Sequence, residues 1–129
     1  MKTPHAVIFS LLVGTALGAA VVQGLHAQAT PPVYFVADIS EVTDQAAWSA
    51  VGGRSDANAA ALLKDFGGQY ISRTEQITAL DGTPPKRIII TRFDSVDKAK
   101  GWYNSPEQTK VNQTRIKNTK SRSFIVQGM

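Results

Sequence analysis

Residues 81–107 read DGTPPKRIIITRFDSVDKAKGWYNSPE. Asp81-Gly82-Thr83-Pro84-Pro85 is turn chemistry, since glycine, proline and aspartate each favour a tight reversal. Lys86 to Phe93 follows as a strand with Ile88, Ile89 and Ile90 at its centre. Asp94 or Ser95 then caps a helix that carries Val96, Ala99, Trp102 and Tyr103 on one side. Asn104 stops it. Ser105-Pro106-Glu107-Gln108 starts another, with Ser as cap, Pro at the first position and Gln reaching back in a capping box.

Upstream, Gln69 to Leu80 reads as a strand bent midway, and the short turn makes it the hairpin partner of 86–93. Gly67-Gly68 ends a helix before it. That helix starts at Asp44 and carries Trp48, Val51, Ala59, Leu62, Leu63 and Phe66 as its stripe. Gly52-Gly53 interrupts the stripe, and each glycine costs about 1 kcal/mol in a helix interior, so a kink or break is expected there. Val33 to Val42 alternates, with Val33, Phe35, Ala37 and Ile39 on one face and Tyr34, Val36, Asp38 and Ser40 on the other. Downstream, the helix from Pro106 to Asn118 is mostly polar and buries a narrow stripe around Val111 and Arg115. Arg122 to Gln127 is a last strand around Phe124, Ile125 and Val126. The order is strand, helix, strand, strand, helix, strand. That predicts an α+β domain of the ferredoxin-like βαββαβ kind. Helices cover one face of such a sheet, and a second copy of the chain is the expected cover for the other.

The N-terminus reads as an export signal, residues 1–29. Lys2 precedes an uncharged run from Ala6 to Val22, and Ala27-Gln28-Ala29 matches the small-x-small cleavage pattern. The expected mature domain is 30–129, periplasmic or secreted, with no membrane attachment after cleavage. An uncleaved anchor is the alternative, at the short end of bilayer-spanning length. Removing Lys2 lowers the formal charge from +4 to +3, which is too mild to indicate nucleic acid. Seven cations lie between Asp97 and Arg122 against Asp97 and Glu107, the pattern of a solvated helix face. Asn112-Gln113-Thr114 matches a glycosylation pattern and carries no weight in an exported bacterial chain.

Two zeros restrict the chemistry. The chain has no Cys, and both histidines, His5 and His26, lie in the expected leader. The mature domain then has no Ser-His-Asp triad, no Cys nucleophile and no His or Cys zinc or haem site. Neither a metal nor a cofactor is expected.

The stretch Tyr34 to Gly128 resembles the domain of unknown function family 1330, within the dimeric α/β barrel group. The residues that carry the resemblance are Asp38 and Asp44, Phe66-Gly67-Gly68-x-Tyr70, and Leu80-Asp81-Gly82. Phe93-Asp94-Ser95 follows, running into Ala99-x-x-Trp102-Tyr103-x-Ser105-Pro106-Glu107, and then Arg115 with Ser121-Arg122. Members often have Tyr after Pro-Glu, where this chain has Gln108, and a more regular first helix. The resemblance implies a fold and a homodimer, not a reaction.

Related barrels include cofactor-independent monooxygenases and lactone isomerases, whose chemistry needs an apolar pocket and a few polar groups. The ligand-binding candidates are Asp38, Arg73, Arg92, Trp102 and Arg115, with Tyr34 and Tyr70 as further donors. Asp38 is either a base or the structural partner of an arginine. Arg92 either clamps an anion or reaches solvent or Asp38. Arg115 sits on a polar helix where burial of its stem needs a reason. Trp102 and Tyr103 also read as core and interface. Three functions remain open. One is an envelope module that binds a small apolar or anionic molecule, and another is a cofactor-independent enzyme. The third is a surface-interaction protein using the basic C-terminal helix.

Overall fold

The alternating segment Val33–Val42 becomes an inner strand of the sheet. The computed structural model describes residues 30–51 and 57–129. The expected leader and the Gly52-Gly53 break lie outside the described residues. The elements are β1 (Val33–Val42), α1 (Gln45–Val51), α2 (Ala57–Asp65), β2 (Gln69–Thr74) and β3 (Arg87–Phe93). They continue with α3 (Val96–Tyr103), α4 (Pro106–Asn118) and β4 (Thr119–Gln127). The four strands run antiparallel in the order β2-β3-β1-β4. This is the ferredoxin-like α+β arrangement that the element order predicts.

Local chemistry sets most boundaries. Asp44 Oδ1 accepts the Ala47 N–H at 3.0 Å, and Ser95 Oγ accepts the Lys98 N–H at 3.2 Å. Both caps satisfy amides that the first helical turn leaves open. At the end of α2, Gly67 takes φ +69°. The Gly67 N–H reaches the Lys64 carbonyl and the Gly68 N–H the Leu63 carbonyl, each at 2.9 Å, which is a Schellman ending.

Three expectations are corrected. The second strand ends at Thr74, not Leu80. Beyond Thr74 the partner strand would have to continue into Pro84-Pro85, which has no N–H to donate. The last strand starts at Thr119, not Arg122, because Glu41 and Val42 extend β1 and pair with Lys120 and Thr119. The capping box at Ser105 does not form. Ser105 Oγ instead donates to the Trp102 carbonyl at 2.7 Å, which at the end of α3 also accepts the Ser105 N–H at 3.1 Å. Gln108 donates to Asn112.

Val33, Phe35, Ala37 and Ile39 of β1 are buried beneath the helices, with Phe93 beside them. Trp102 closes this layer. Its ring lies 5.1 Å from Phe35, edge-on at 73°, and 5.3 Å from Phe93. Thr91 sits within the same layer, fully buried, and its Oγ1 has no hydrogen-bond partner among the described residues. A buried hydroxyl without a partner costs about 1–3 kcal/mol relative to an apolar group of the same shape. Thr91→Val is therefore expected to raise the melting temperature by roughly 4–8 °C, at about 1 kcal/mol. Calorimetry would check this, and a lower melting temperature would contradict it.

The opposite face of the sheet carries no helix among the described residues. Register places Ile90, Val36 and Phe124 in one row across it, with Tyr34 and Val126 in the next. Phe124 and Val126 are each 46 % exposed. Asp38 lies at the other end of this face, beside Ile88, and accepts from Arg122 Nε at 3.1 Å.

Candidate functional site

A pocket of about 280 Å³ lies between the inner face of the sheet and the helices. Phe35, Ala37, Tyr70, Arg73 and Ile89 come from the strands. Trp48, Leu62, Trp102, Val111, Asn112 and Arg115 come from the helices, with Glu107 and Gln108 from the first turn of α4. Most of the lining is apolar, and the polar groups are concentrated along α4.

That concentration has a helical cause. Gln108, Asn112 and Arg115 stand four and three residues apart, so they share one face of α4. The face turns inward, and Asn112 and Arg115 are buried. Asn112 Nδ2 donates to the Tyr103 carbonyl at 2.9 Å, and Asn112 Oδ1 accepts from Gln108 Nε2 at 3.1 Å. This amide pair ties α4 to the end of α3.

Arg115 is 5 % exposed. Its Nη1 donates to Ser121 Oγ at 2.8 Å, and its Nη2 to the Tyr103 hydroxyl at 3.3 Å and Ser123 Oγ at 3.5 Å. Only the first is of ordinary length. Thr119 Oγ1, which donates to the Arg115 carbonyl at 2.6 Å, lies 2.8 Å from Ser121 Oγ and supports it. No carboxylate lies within ion-pair distance of Arg115 among the described residues. A buried charge with only neutral partners is costly, by several kcal/mol even after relaxation. Hydroxyls offset part of that cost and leave the charge itself unbalanced.

Arg73 reaches the same pocket from β2. Its guanidinium lies 4.5 Å from the centre of the Tyr70 ring, a cation–π contact. Tyr70 and Arg73 would point to opposite faces of a regular strand. A bulge between Tyr70 and Ser72 restores the phase, so Tyr70 pairs with Thr91 and Arg73 with Ile89, both on the helix side.

Of the sequence candidates, Arg73, Trp102 and Arg115 thus meet at one pocket. Asp38 and Arg92 do not join them. Asp38 pairs with Arg122 and Arg92 with Asp94 at 3.3 Å. Arg92 stands opposite Tyr34, whose alternation places it on the face away from the helices. Both arginines have more than a third of their side chains exposed, so these pairs contribute little to stability. Glu41 and Lys120 form a further exposed pair at 2.9 Å, away from the pocket. The Lys120 ammonium holds the Glu41 carboxyl below its usual range, and Glu41 raises Lys120 in return.

Gln108 and Asn112 also line the pocket, and neither is among the candidates that the sequence marks out. The available signal was their spacing from Arg115, which marks an inward polar stripe on a helix with few apolar residues. Ser121, Ser123 and the Tyr103 hydroxyl were also missed, because only register and packing bring them to Arg115. Among the described residues no three His, Cys, Asp or Glu side chains cluster as metal ligands would.

The family model described as domain of unknown function (DUF1330) matches residues 32–129. The chain belongs to the DUF1330 family. Solved structures share the fold of this DUF1330 chain at low identity. A protein of unknown function from Rhodopseudomonas palustris superposes with a TM-score of 0.56 at 14% identity, covering 85% of this chain and 92% of its own. SnoaB, a cofactor-independent oxygenase from Streptomyces nogalater, gives 0.52 at 14%, covering 77% and 94%. An EthD family protein from Bacillus halodurans gives 0.52 at 12%, covering 76% and 99%. No curated protein matches the DUF1330 chain closely enough to count as a relative.

Proposed function

We propose that this DUF1330 chain is a small-molecule binding module of the cell envelope, working as a homodimer and holding its ligand between sheet and helices. The observation that carries this reading is the apolar pocket with a buried Arg115 whose partners are hydroxyls only. A buried guanidinium without a counter-ion works against folding, and an anionic ligand seated on it would offset that cost.

A thermal-shift screen of purified protein against a metabolite library tests the pocket. A ligand at a hundred times its dissociation constant stabilises by about 2.7 kcal/mol. For a domain of this size that is a rise of roughly 10–20 °C. Arg115→Met removes a charge that has no counter-ion, together with three hydrogen bonds to hydroxyls. These effects oppose each other, so the melting temperature should stay within roughly 8 °C of the parent, about 1 kcal/mol. The variant should also lose the stabilisation by anionic hits. A large drop in melting temperature with those hits still bound would make Arg115 a scaffold residue.

A cofactor-independent enzyme of the monooxygenase or isomerase kind is the second reading, and it draws on the fold shared with SnoaB. Such chemistry needs a proton acceptor at the substrate. Among the described lining residues Glu107 is the one carboxylate, and it is exposed. Turnover of a screening hit by the purified protein would favour this reading over binding alone.

Placement in the envelope draws on Lys2, the apolar run and Ala27-Gln28-Ala29. Mass spectrometry of protein from its native host should find Thr30 as the first residue. An intact N-terminus on the soluble protein would rule export out.

A further inference from the structure

We infer that the pocket takes a small monocarboxylate with a flat apolar body, its carboxylate seated on Arg115. The inference rests on reading the pocket as a binding site and adds the class of ligand.

The charge comes first. Arginine has five N–H groups, and three of those on Arg115 go to Ser121, Tyr103 and Ser123. The remaining two, on Nε and Nη1, have no partner among the described residues. The bond to Ser123, at 3.5 Å, is at the limit of length and is readily given up to a better acceptor. An anionic oxygen makes the shorter, charge-assisted bond that neutral hydroxyls do not. It would also supply the missing counter-charge.

Size and walls come next. An apolar cavity of about 150 Å³ accommodates benzene. At about 280 Å³ this pocket has room for one ring or a short chain and a carboxylate. Phe35, Leu62, Tyr70, Ile89 and Trp102 offer flat or aliphatic contact to such a body. The number of charges follows from the lining. Arg115 is one buried guanidinium, and no carboxylate among the described residues balances its single charge. That single charge suits a monoanion. A phosphate dianion would bring a second negative charge and more acceptor oxygens than the two open N–H groups of Arg115 can satisfy.

Both tryptophans of the chain, Trp48 and Trp102, line the pocket, so tryptophan emission reports directly on its filling. Purified protein would be titrated with phenylacetate, phenylacetamide and benzylphosphonate, which share one ring and differ in the polar head. Phenylacetate is expected to bind at least tenfold more tightly than either of the others. Arg115→Gln should abolish the preference for acid over amide, and Arg115→Lys should retain part of it. The acid-to-amide ratio in the parent protein stands as a test even where a variant fails to fold. Equal affinity for acid and amide overturns the carboxylate assignment and leaves the pocket as a binding site. Tighter binding of benzylphosphonate overturns the monoanion assignment. Silence from all three probes, with library hits that survive Arg115→Met, overturns this inference alone. Silence from probes and library together removes the binding reading with it.

Discussion

Trp102→Ala is expected to lower the stability of the domain by about 3–5 kcal/mol, the usual cost of emptying a buried tryptophan site. At 4–8 °C per kcal/mol, the melting temperature should fall by roughly 12–40 °C. The reason is the position of the ring. Trp102 is 3 % exposed and packs against Phe35 and Phe93, whose own burial depends on it. It also lies in the last turn of α3, where Ser105 hydrogen-bonds to its carbonyl, so collapse of the site would strain the junction of two helices. Little relief is available from rearrangement, because β1 and β3 are the two inner strands and are pinned on both sides. Chemical denaturation of parent and variant would measure the difference. A loss below about 1 kcal/mol would mean that the layer repacks and that Trp102 is not its keystone.

Phe124→Lys is expected to turn the proposed homodimer into a monomer while leaving the fold of the single chain in place. The expectation depends on the outer face of the sheet as the proposed contact between copies. Monomers rarely expose contiguous apolar patches above a few hundred Å², and here Ile90, Val36 and Phe124 form an unbroken row beside Tyr34 and Val126. Phe124 is 46 % exposed in the single chain, so a lysine there meets water and costs the monomer little. In the dimer the same ammonium would be buried against an apolar row with no acceptor. Leaving a charge unpaired in that way costs about 3–5 kcal/mol, a weakening of association by roughly a hundredfold or more. Light scattering at micromolar concentration should show twice the chain mass for the parent and a single chain mass for the variant. A parent that is monodisperse as a monomer, or a variant that stays dimeric, would place the contact elsewhere or remove it.

Much of the architecture was legible in the chain because local chemistry and global order agree. Asp44, Ser95 and Gly67 cap their helices for reasons that act within a few residues. The alternation in Val33–Val42 survives in the structure because the strand lies between two partners. Legibility failed where a distant segment decides. Ser105 looks like a capping-box residue until α3 presents it with the Trp102 carbonyl. Gln76 to Leu80 has the composition of a strand and lacks only a partner, which Pro84-Pro85 denies it. The pocket shows the same division. Arg115 stood out as a cation on a helix with little else to bury. Asp38 and Arg92 stand beside it as weaker candidates that the sequence cannot dismiss, because faces of a sheet cannot be ranked until helices choose one. The hydroxyls around Arg115 carry no signal of their own, since serine on a strand reads simply as polar.

The bulge at Ile71 also governs how this chain should be compared with its relatives. Tyr70 and Arg73 share a face only because one residue between them is left out of the pairing. A relative that lacks that residue would have a regular strand and keep the same two side chains at the pocket. Matched position by position without a gap, the two chains would appear to have exchanged faces, and a retained arginine would be scored as lost. One unit of chain length thus separates true homology from apparent divergence at this site. A survey of pocket composition across the family should align strands by their pairing partners on β3, not by counting residues from the Gly67-Gly68 turn.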